Sequence, residues 1–156
     1  MTNDIHETRF KLADENFEFE KWPFYNMSRL ISLYHRRLDS ALKPLGLDAT
    51  RWRILSILSK RKTASVTEIA EESTALLSTT AKAIQRMVAQ GLLQTRTSTR
   101  DARSIQVNLS DKGKTAFTDA ERKVSLIASR AFHGVDESEI DTLNFITRRI
   151  YGNLEL

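Results

Sequence analysis

The chain has 156 residues, of which 40% are hydrophobic and 28% are charged, a composition that is ordinary for one soluble globular domain. No apolar run approaches the roughly 20 residues that a membrane-spanning helix needs, and the polar N-terminus does not resemble a secretory signal, so we expect a cytoplasmic protein that does not enter membranes. The absence of cysteine excludes disulfides, thiolate nucleophiles and thiol-based redox sensing.

The formal net charge of +4 is unevenly distributed along the chain. Residues 51–114 carry twelve Lys and Arg against five Asp and Glu, whereas residues 1–20 carry two against six. A basic segment between acidic ends suits a surface that faces phosphates, because each cation near a phosphate releases a counterion on binding. The pattern favours a nucleic-acid partner, although a solvated basic face produces the same pattern.

Residues 1–21 are predicted to form an acidic N-terminal arm, and a long amphipathic helix follows. Pro23 suits the first turn of this helix, and Gly46 suits the left-handed residue that ends it. Its apolar residues recur at spacings of three and four along one side: Met27, Leu30, Ile31, Tyr34, Leu38, Ala41, Leu42 and Leu45.

A second helix is expected after Asp48, which can act as its N-cap. Its predicted buried face comprises Ile54, Leu55 and Leu58.

Ser65 and Glu68 form a predicted capping box at the start of a third, short helix. The inner face of this helix consists of small or medium side chains, Ile69, Ala70 and Ser73, which lets the next helix cross it closely.

The next helix is predicted from Leu77 to Gln90 and ends at Gly91. Its inward residues are expected to be Leu77, Ala81, Ile84 and Val88, and its outward residues Ser78, Thr79, Lys82 and Arg86.

Two short strands follow, since apolar and polar residues alternate around a basic tip at residues 97–103. Two further helices, at about residues 112–133 and 136–151, complete the chain, the second with Asp136 as its N-cap. The predicted fold class is mainly α with a small β-hairpin wing, a winged helix-turn-helix with additional N- and C-terminal helices.

Three groups of residues resemble a known family. They are Leu45-Gly46-Leu47 followed by a helix at Trp52–Leu58; Val66-Thr67-Glu68-Ile69-Ala70 leading to Ser78-Thr79 and Gly91-Leu92-Leu93; and Asp101-Ala102-Arg103 followed by Val107, Leu109-Ser110 and Lys112-Gly113. In these groups the chain resembles the multiple antibiotic resistance regulator (MarR) family of bacterial transcription factors. It departs from that family at Leu76-Leu77, where members often place a Ser cap and a polar residue.

The resemblance implies a homodimer of winged helices. Residues 22–46 and 110–156 would be interlocking dimerisation helices, and residues 47–109 would be the DNA-binding lobe. Members of the family commonly repress genes and release DNA when a small aromatic or phenolic compound binds. We therefore expect a repressor that binds double-stranded DNA at a pseudo-palindromic operator and is released by a small aromatic or phenolic carboxylate.

The helix from Leu77 to Gln90 would enter the DNA major groove. Ser78 and Thr79 are short enough to approach base edges, and Lys82 and Arg86 reach further on the same face. Thr67, at the start of the preceding helix, is a candidate phosphate contact.

The basic tip between the strands would contact the minor groove. Asp101 can hold Arg103 in place through an ion pair, with Arg100 as a second tip candidate and Arg96 as a phosphate neighbour. The alternative for Asp101 and Arg103 is a purely structural ion pair at a hairpin tip.

A candidate effector site draws on the first two helices. Ser28 and His35 lie two helical turns apart, and Arg51 and Trp52 open the second helix. Trp22 and Tyr25 could extend the aromatic wall around a small aromatic acid. The alternative is that His35 belongs to the dimer interface, Trp52 to the core and Arg51 to the solvent-exposed surface.

Catalytic and metal sites are not expected. His6, His35 and His133 lack the spacing of metal ligands, and neither a Gly-rich phosphate loop nor a nucleophile motif is present. We predict no cofactor and no enzymatic activity. Two other functions stay open: a winged-helix DNA-binding protein without an effector, and a protein-interaction module on the same fold.

Overall fold

The computed structural model describes residues 15–97 and 105–155, and these residues form a mainly helical protein with one small sheet. The helices are α1 (Pro23–Leu42), α2 (Ala49–Arg61), α3 (Val66–Glu72), α4 (Leu77–Ala89), α5 (Asp111–Ala131) and α6 (Glu137–Leu154). The strands are β1 (Thr63–Ser65), β2 (Leu93–Thr97) and β3 (Ile105–Leu109). This architecture confirms the predicted fold class, and none of the described helices meets the length and apolarity needed to cross a membrane.

The chain divides between Ala49 and Thr50 into two compact units. In the first unit α1 starts at Pro23, whose fixed φ suits a first helical turn. The helix ends through a 3-10 turn, Lys43–Leu45, and Gly46 then adopts the left-handed conformation at φ 68°. The Leu47 amide donates to the Leu42 carbonyl at 3.2 Å and closes this turn, so the predicted stop at Gly46 is confirmed.

The second unit contains a continuous apolar core. Ile54, Leu55 and Leu58 of α2 are buried as predicted, and Ile69 of α3 lies with them among the most completely buried side chains. The inner face of α3 is confirmed as well, because Ala70 and Ser73 are also buried.

The sheet has the order β1-β3-β2 and is antiparallel throughout. Val107 lies in the middle strand opposite Ala64 on one side and Thr95 on the other, and it is fully buried. The pairing of β2 with β3 was predicted. Strand β1 was not, because three residues carry too little alternation to be recognised and their partners are more than forty positions away.

The buried face of α4 differs from the prediction. Ile84 is buried as predicted and Ala81 and Val88 are half-buried, whereas Leu77, which was expected to face inward, is 52% exposed. The most buried residues of the helix are Thr80, Ile84 and Met87, which recur at spacings of four and three, so the buried face is turned from the predicted one but shares Ile84 with it. Leu77 is hydrophobic and was therefore expected to be buried, but it lies in the first turn of the helix, where its side chain stays exposed.

Candidate DNA-binding surface and effector groove

The start of α3 is fixed by the predicted capping box. The Glu68 amide donates to Ser65 Oγ at 3.2 Å, and the Ser65 amide donates to Glu68 Oε2 at 2.7 Å. The bonds from the backbone and side chain of Ser65, assisted by the nearby Arg61 guanidinium, hold the pKa of Glu68 below its ordinary value. Thr67 lies in this first turn with an exposed side chain, as a phosphate contact requires.

Hydrogen bonds to backbone carbonyls position α4 at both ends. In the turn before it, the Ser73 carbonyl accepts a bond from Arg53 Nη1 at 2.7 Å. In the turn after it, where Gly91 is left-handed at φ 74°, the Gly91 carbonyl accepts from Ser110 Oγ at 2.6 Å. Lys112 Nζ donates to the neighbouring Gln90 carbonyl at 2.8 Å. The helix is thus attached to α2 on one side and to the start of α5 on the other.

The outward side of α4 is polar and cationic. All four side chains predicted to meet DNA there are exposed: Ser78, Thr79, Lys82 and Arg86. They lie away from the buried face of Thr80, Ile84 and Met87, so the core can hold the helix while the polar side stays accessible.

Gln85 belongs to the same surface but was not among the predicted DNA contacts. It is exposed and follows Ser78 and Lys82 at spacings of four and three, which places the three side chains in one row. A glutamine amide can form two hydrogen bonds with adenine in the major groove. The helical period of the outward residues could have identified it.

The wing is described only in part. Arg96 is exposed on β2 at the position that pairs with Gln106 of β3. The predicted tip residues Arg100, Asp101 and Arg103 lie outside the described residues, so their contribution stays a prediction.

Four of the six predicted effector residues lie in the first unit. Trp22 and Tyr25 belong to an aromatic cluster at the start of α1, in which the Phe19 ring lies 5.6 Å from Trp22 and 4.5 Å from Tyr25. Ser28 is exposed on α1, and His35 is partly buried with its ring 6.0 Å from that of Tyr34.

The other two predicted effector residues, Arg51 and Trp52, lie in the second unit and are partly buried. The Trp52 ring stacks on Phe117 of α5, with centroids 5.4 Å apart and planes within 4° of parallel. Trp52 also lines an open groove of about 640 Å³ between α2 and α5. The remaining lining residues are Ser56, Ile57, Ser59, Lys60, Glu72, Phe117, Glu121, Val124, Ser125 and Ala128.

The groove combines aromatic, cationic and acidic side chains. Its volume lies in the range of small-molecule pockets, and its lining includes the stacked pair of Trp52 and Phe117, the cation Lys60 and the carboxylates Glu72 and Glu121. Phe117 and Lys60 were not predicted as ligand residues. The stacking of two rings 65 positions apart depends on how α2 and α5 pack, which no local pattern reveals.

Comparisons with known proteins agree with this fold. A sequence model described as the MarR family matches residues 47–105. The HTH-type transcriptional repressor IacR of Pseudomonas putida is 32% identical over 143 residues, which cover 92% of this chain and 86% of IacR.

Two solved structures show the same architecture. CouR from Rhodococcus jostii RHA1 bound to p-coumaroyl-CoA gives a TM-score of 0.80 at 16% identity, and the match covers 85% of this chain and 94% of CouR. A mutant of MarR from E. coli complexed with operator DNA gives a TM-score of 0.70 at 18% identity, and the match covers 80% of this chain and 93% of that one. At these identities the two structures bear on the fold alone.

Proposed function

Since this chain belongs to the MarR family of transcriptional regulators, we propose that it is a repressor that binds a pseudo-palindromic operator as a homodimer and is released by a small aromatic or phenolic acid. Its relative IacR is named as a transcriptional repressor, and the MarR structure with the same fold contains operator DNA.

The observation that carries the proposal is the exposed polar and cationic face of α4 opposite its buried core face. Ser78, Lys82 and Gln85 form one row that can enter a major groove, and Arg86 lies beside it. Thr67 and Arg96 are exposed and would contact the flanking phosphates, and Arg100, Asp101 and Arg103 of the wing would contact the adjacent minor groove.

The test is selection of bound duplexes from random DNA, followed by gel-shift titration at fixed salt. We expect a selected sequence with two half-sites whose centres are about 34 Å apart. Lys82→Ala, Arg86→Ala and Arg103→Ala should each weaken binding by about tenfold or more while the protein stays folded. Arg122→Ala removes an exposed cation of α5 and is the matched control. Binding with a steep salt dependence but no selected sequence would contradict an operator.

Exposed apolar side chains support the proposed homodimer. None of the residues of α6 is buried, and Leu143, Ile146 and Leu154 of this helix are 49%, 48% and 70% exposed. In the first unit Leu30 and Ile31 of α1 are also exposed. Packing against a second copy would remove these surfaces from water. Analytical ultracentrifugation should give a dimer for the wild-type protein and a monomer for Ile146→Asp.

The groove between α2 and α5 supports the proposed effector. An aromatic ring can lie against Trp52 and Phe117, and Lys60 can pair with a carboxylate. CouR, which has this fold, is bound to p-coumaroyl-CoA in its structure. Trp22, Tyr25, Ser28 and His35 of the first unit and Arg51 of the second stay predicted ligand residues. The effector would favour a spacing of the two recognition helices that no longer fits DNA.

The effector proposal can be tested through Trp52. The chain has two tryptophans, so a Trp22→Phe variant reports from Trp52 alone. We expect its fluorescence to change on titration with at least one member of a panel of benzoates, cinnamates and phenols. Lys60→Ala should weaken binding of the carboxylates more than that of the neutral phenols, because it removes a cation from the groove lining. No fluorescence change with any member of the panel would contradict this site.

A further inference from the structure

Leu76 and Leu77 lie exposed at the start of α4, next to the polar face proposed to meet DNA. Leu76 is 76% exposed, the highest value for a large apolar side chain in the described part of the chain, and Leu77 is 52% exposed. Both directly precede Ser78, the first residue of the outward row. Two adjacent leucines are thus presented to solvent where no part of the described chain covers them.

The position of Leu76 is also unfavourable for the helix itself. It is the N-cap residue of α4 and forms no side-chain cap hydrogen bond. Helices α3, α5 and α6, in contrast, have Ser65, Ser110 and Asp136 as N-caps. Each of these side chains accepts a hydrogen bond from a backbone amide of its helix. A leucine at an N-cap forgoes this stabilising bond. Exposed apolar surface and a missing cap therefore coincide at one point of the proposed DNA face.

We propose that Leu76 and Leu77 recognise the C5-methyl groups of thymines in the operator. The inference rests on the proposed function, because the cationic face of Lys82 and Arg86 is what would bring the start of α4 into a major groove. The N-terminal residues of a recognition helix are the ones that meet base edges. Thymine is the base that displays a methyl group in the major groove, and apolar side chains are the groups that contact it. The two leucines therefore select for thymine, and the row of Ser78, Lys82 and Gln85 makes the polar contacts.

The test replaces single thymines of the selected duplex by deoxyuridine, which removes the methyl group and leaves base pairing intact. We expect one or two thymines in each half-site to respond. At each of these positions, removal of the methyl group should weaken binding by the wild-type protein about fourfold. The double variant Leu76→Ala, Leu77→Ala should bind thymine and deoxyuridine duplexes equally. Arg122→Ala, the control for operator binding, should keep the wild-type ratio of affinities for the thymine and deoxyuridine duplexes.

The outcomes separate this inference from the proposed function. If no duplex is selected from random DNA, the proposed function fails first. If a duplex is selected but deoxyuridine does not weaken binding at any position, the role of the leucines is overturned. It is also overturned if the double variant keeps the wild-type ratio of affinities for the thymine and deoxyuridine duplexes.

Leu76→Ser gives an independent readout. Serine can supply the missing cap, so the melting temperature should rise while operator binding weakens. A Leu76→Ser protein in which both the melting temperature and the affinity rise would overturn the inference.

Discussion

At the scale of single residues, Ser110 occupies a junction of the DNA-binding lobe. Its hydroxyl lies 2.6 Å from the Gly91 carbonyl and 3.0 Å from the Leu92 carbonyl, so the two carbonyls share its one proton, and its oxygen accepts from the Gly113 amide at 2.9 Å. One side chain therefore joins the start of α5 to the segment that follows α4 through hydrogen bonds. The position of Leu92 relative to Gly113 is set by this junction.

Gly113→Ala should destabilise the protein, although alanine is ordinarily the better helix former. A Cβ at Gly113 would collide with the backbone carbonyl of Leu92, which is held by the Ser110 hydroxyl and cannot move away freely. We expect a loss of about 1–3 kcal/mol in the free energy of unfolding, measured by urea denaturation. Gly152→Ala in α6 is the control, because a Cβ there meets nothing within 4 Å, and it should stabilise by about 0.5–1 kcal/mol. Equal effects of the two substitutions on the free energy of unfolding would contradict the close approach of Gly113 to the Leu92 carbonyl.

Glu68→Gln should destabilise the protein at neutral pH but not in acid. Because the hydrogen bonds of Ser65 lower the pKa of Glu68 below its ordinary value of 4.5, the carboxylate stabilises the folded state above that pH. This contribution is lost as the pH falls through the lowered pKa of the folded state. Urea denaturation of both proteins from about pH 7 to about pH 3 should show the difference shrinking toward zero. Glu71→Gln, on the same helix, is the control, and a difference that persists unchanged into acid would rule out the carboxylate as the cause.

At the scale of helices and strands, the sequence predicted the features that are determined locally. The capping box of Ser65 with Glu68, the N-cap Asp136 and the left-handed glycines at positions 46 and 91 are confirmed. Each depends on the conformation of a few consecutive residues, so a short pattern is sufficient to identify it. The exposed polar side of α4 was predicted for the same reason, since the helical period sets it.

Features determined by packing between distant segments were not predicted. The burial of Thr80 in place of Leu77 depends on how α4 lies against α3, and the stacking of Trp52 on Phe117 depends on the approach of α2 to α5. A threonine gives no signal of burial in the sequence. Of the groove lining only Trp52 was predicted, because Phe117 of α5 meets it through tertiary structure.

The buried face of α4 leads to a prediction about Thr80. Its side chain is 1% exposed, and its hydroxyl oxygen has no hydrogen-bond partner among the described residues. Thr80→Val keeps the shape and the helix propensity but removes the unsatisfied hydroxyl, so it should stabilise by about 1 kcal/mol in urea denaturation. Thr118→Val is the control, since the Thr118 hydroxyl is bonded to the Lys114 carbonyl on an exposed helix face. A destabilised Thr80→Val protein would show that the hydroxyl has a partner.

At the scale of the whole molecule, α5 connects the groove proposed as the effector site to α4, the helix proposed to enter the major groove. Phe117 and Val124 of α5 line the groove, while Ser110 at its N-terminus is bonded to the Gly91 carbonyl directly after α4. Both contacts belong to the second unit, so the connection is made within one lobe. A ligand that displaces α5 from α2 would move the end of α4 through this bond. If the groove is the effector site, these contacts are the route by which a bound ligand would act on DNA binding.

This route predicts reciprocal coupling between effector and operator. If the effector weakens operator binding by some factor, within the roughly 5–150-fold range of typical coupling, the operator must weaken effector binding by the same factor. The first factor is measured by gel shift with and without saturating effector. The second is measured by Trp52 fluorescence of the Trp22→Phe protein with and without saturating operator duplex. An effector affinity that the operator leaves unchanged would show that the groove is not coupled to DNA binding.

The contribution of α5 to this coupling is tested by Ser110→Ala. This substitution removes the bond to Gly91 but leaves the groove lining and the polar face of α4 in place, so the coupling factor should fall toward one. Ser65→Ala is the matched control, because it removes an N-cap of the same lobe that lines no part of the groove. Each variant loses a helix cap worth about 1 kcal/mol, so a loss of coupling confined to Ser110→Ala cannot come from lower stability. Equal coupling in both variants would show that the Ser110 hydroxyl does not carry the connection and would leave the Lys112 bond to the Gln90 carbonyl as the link from α5.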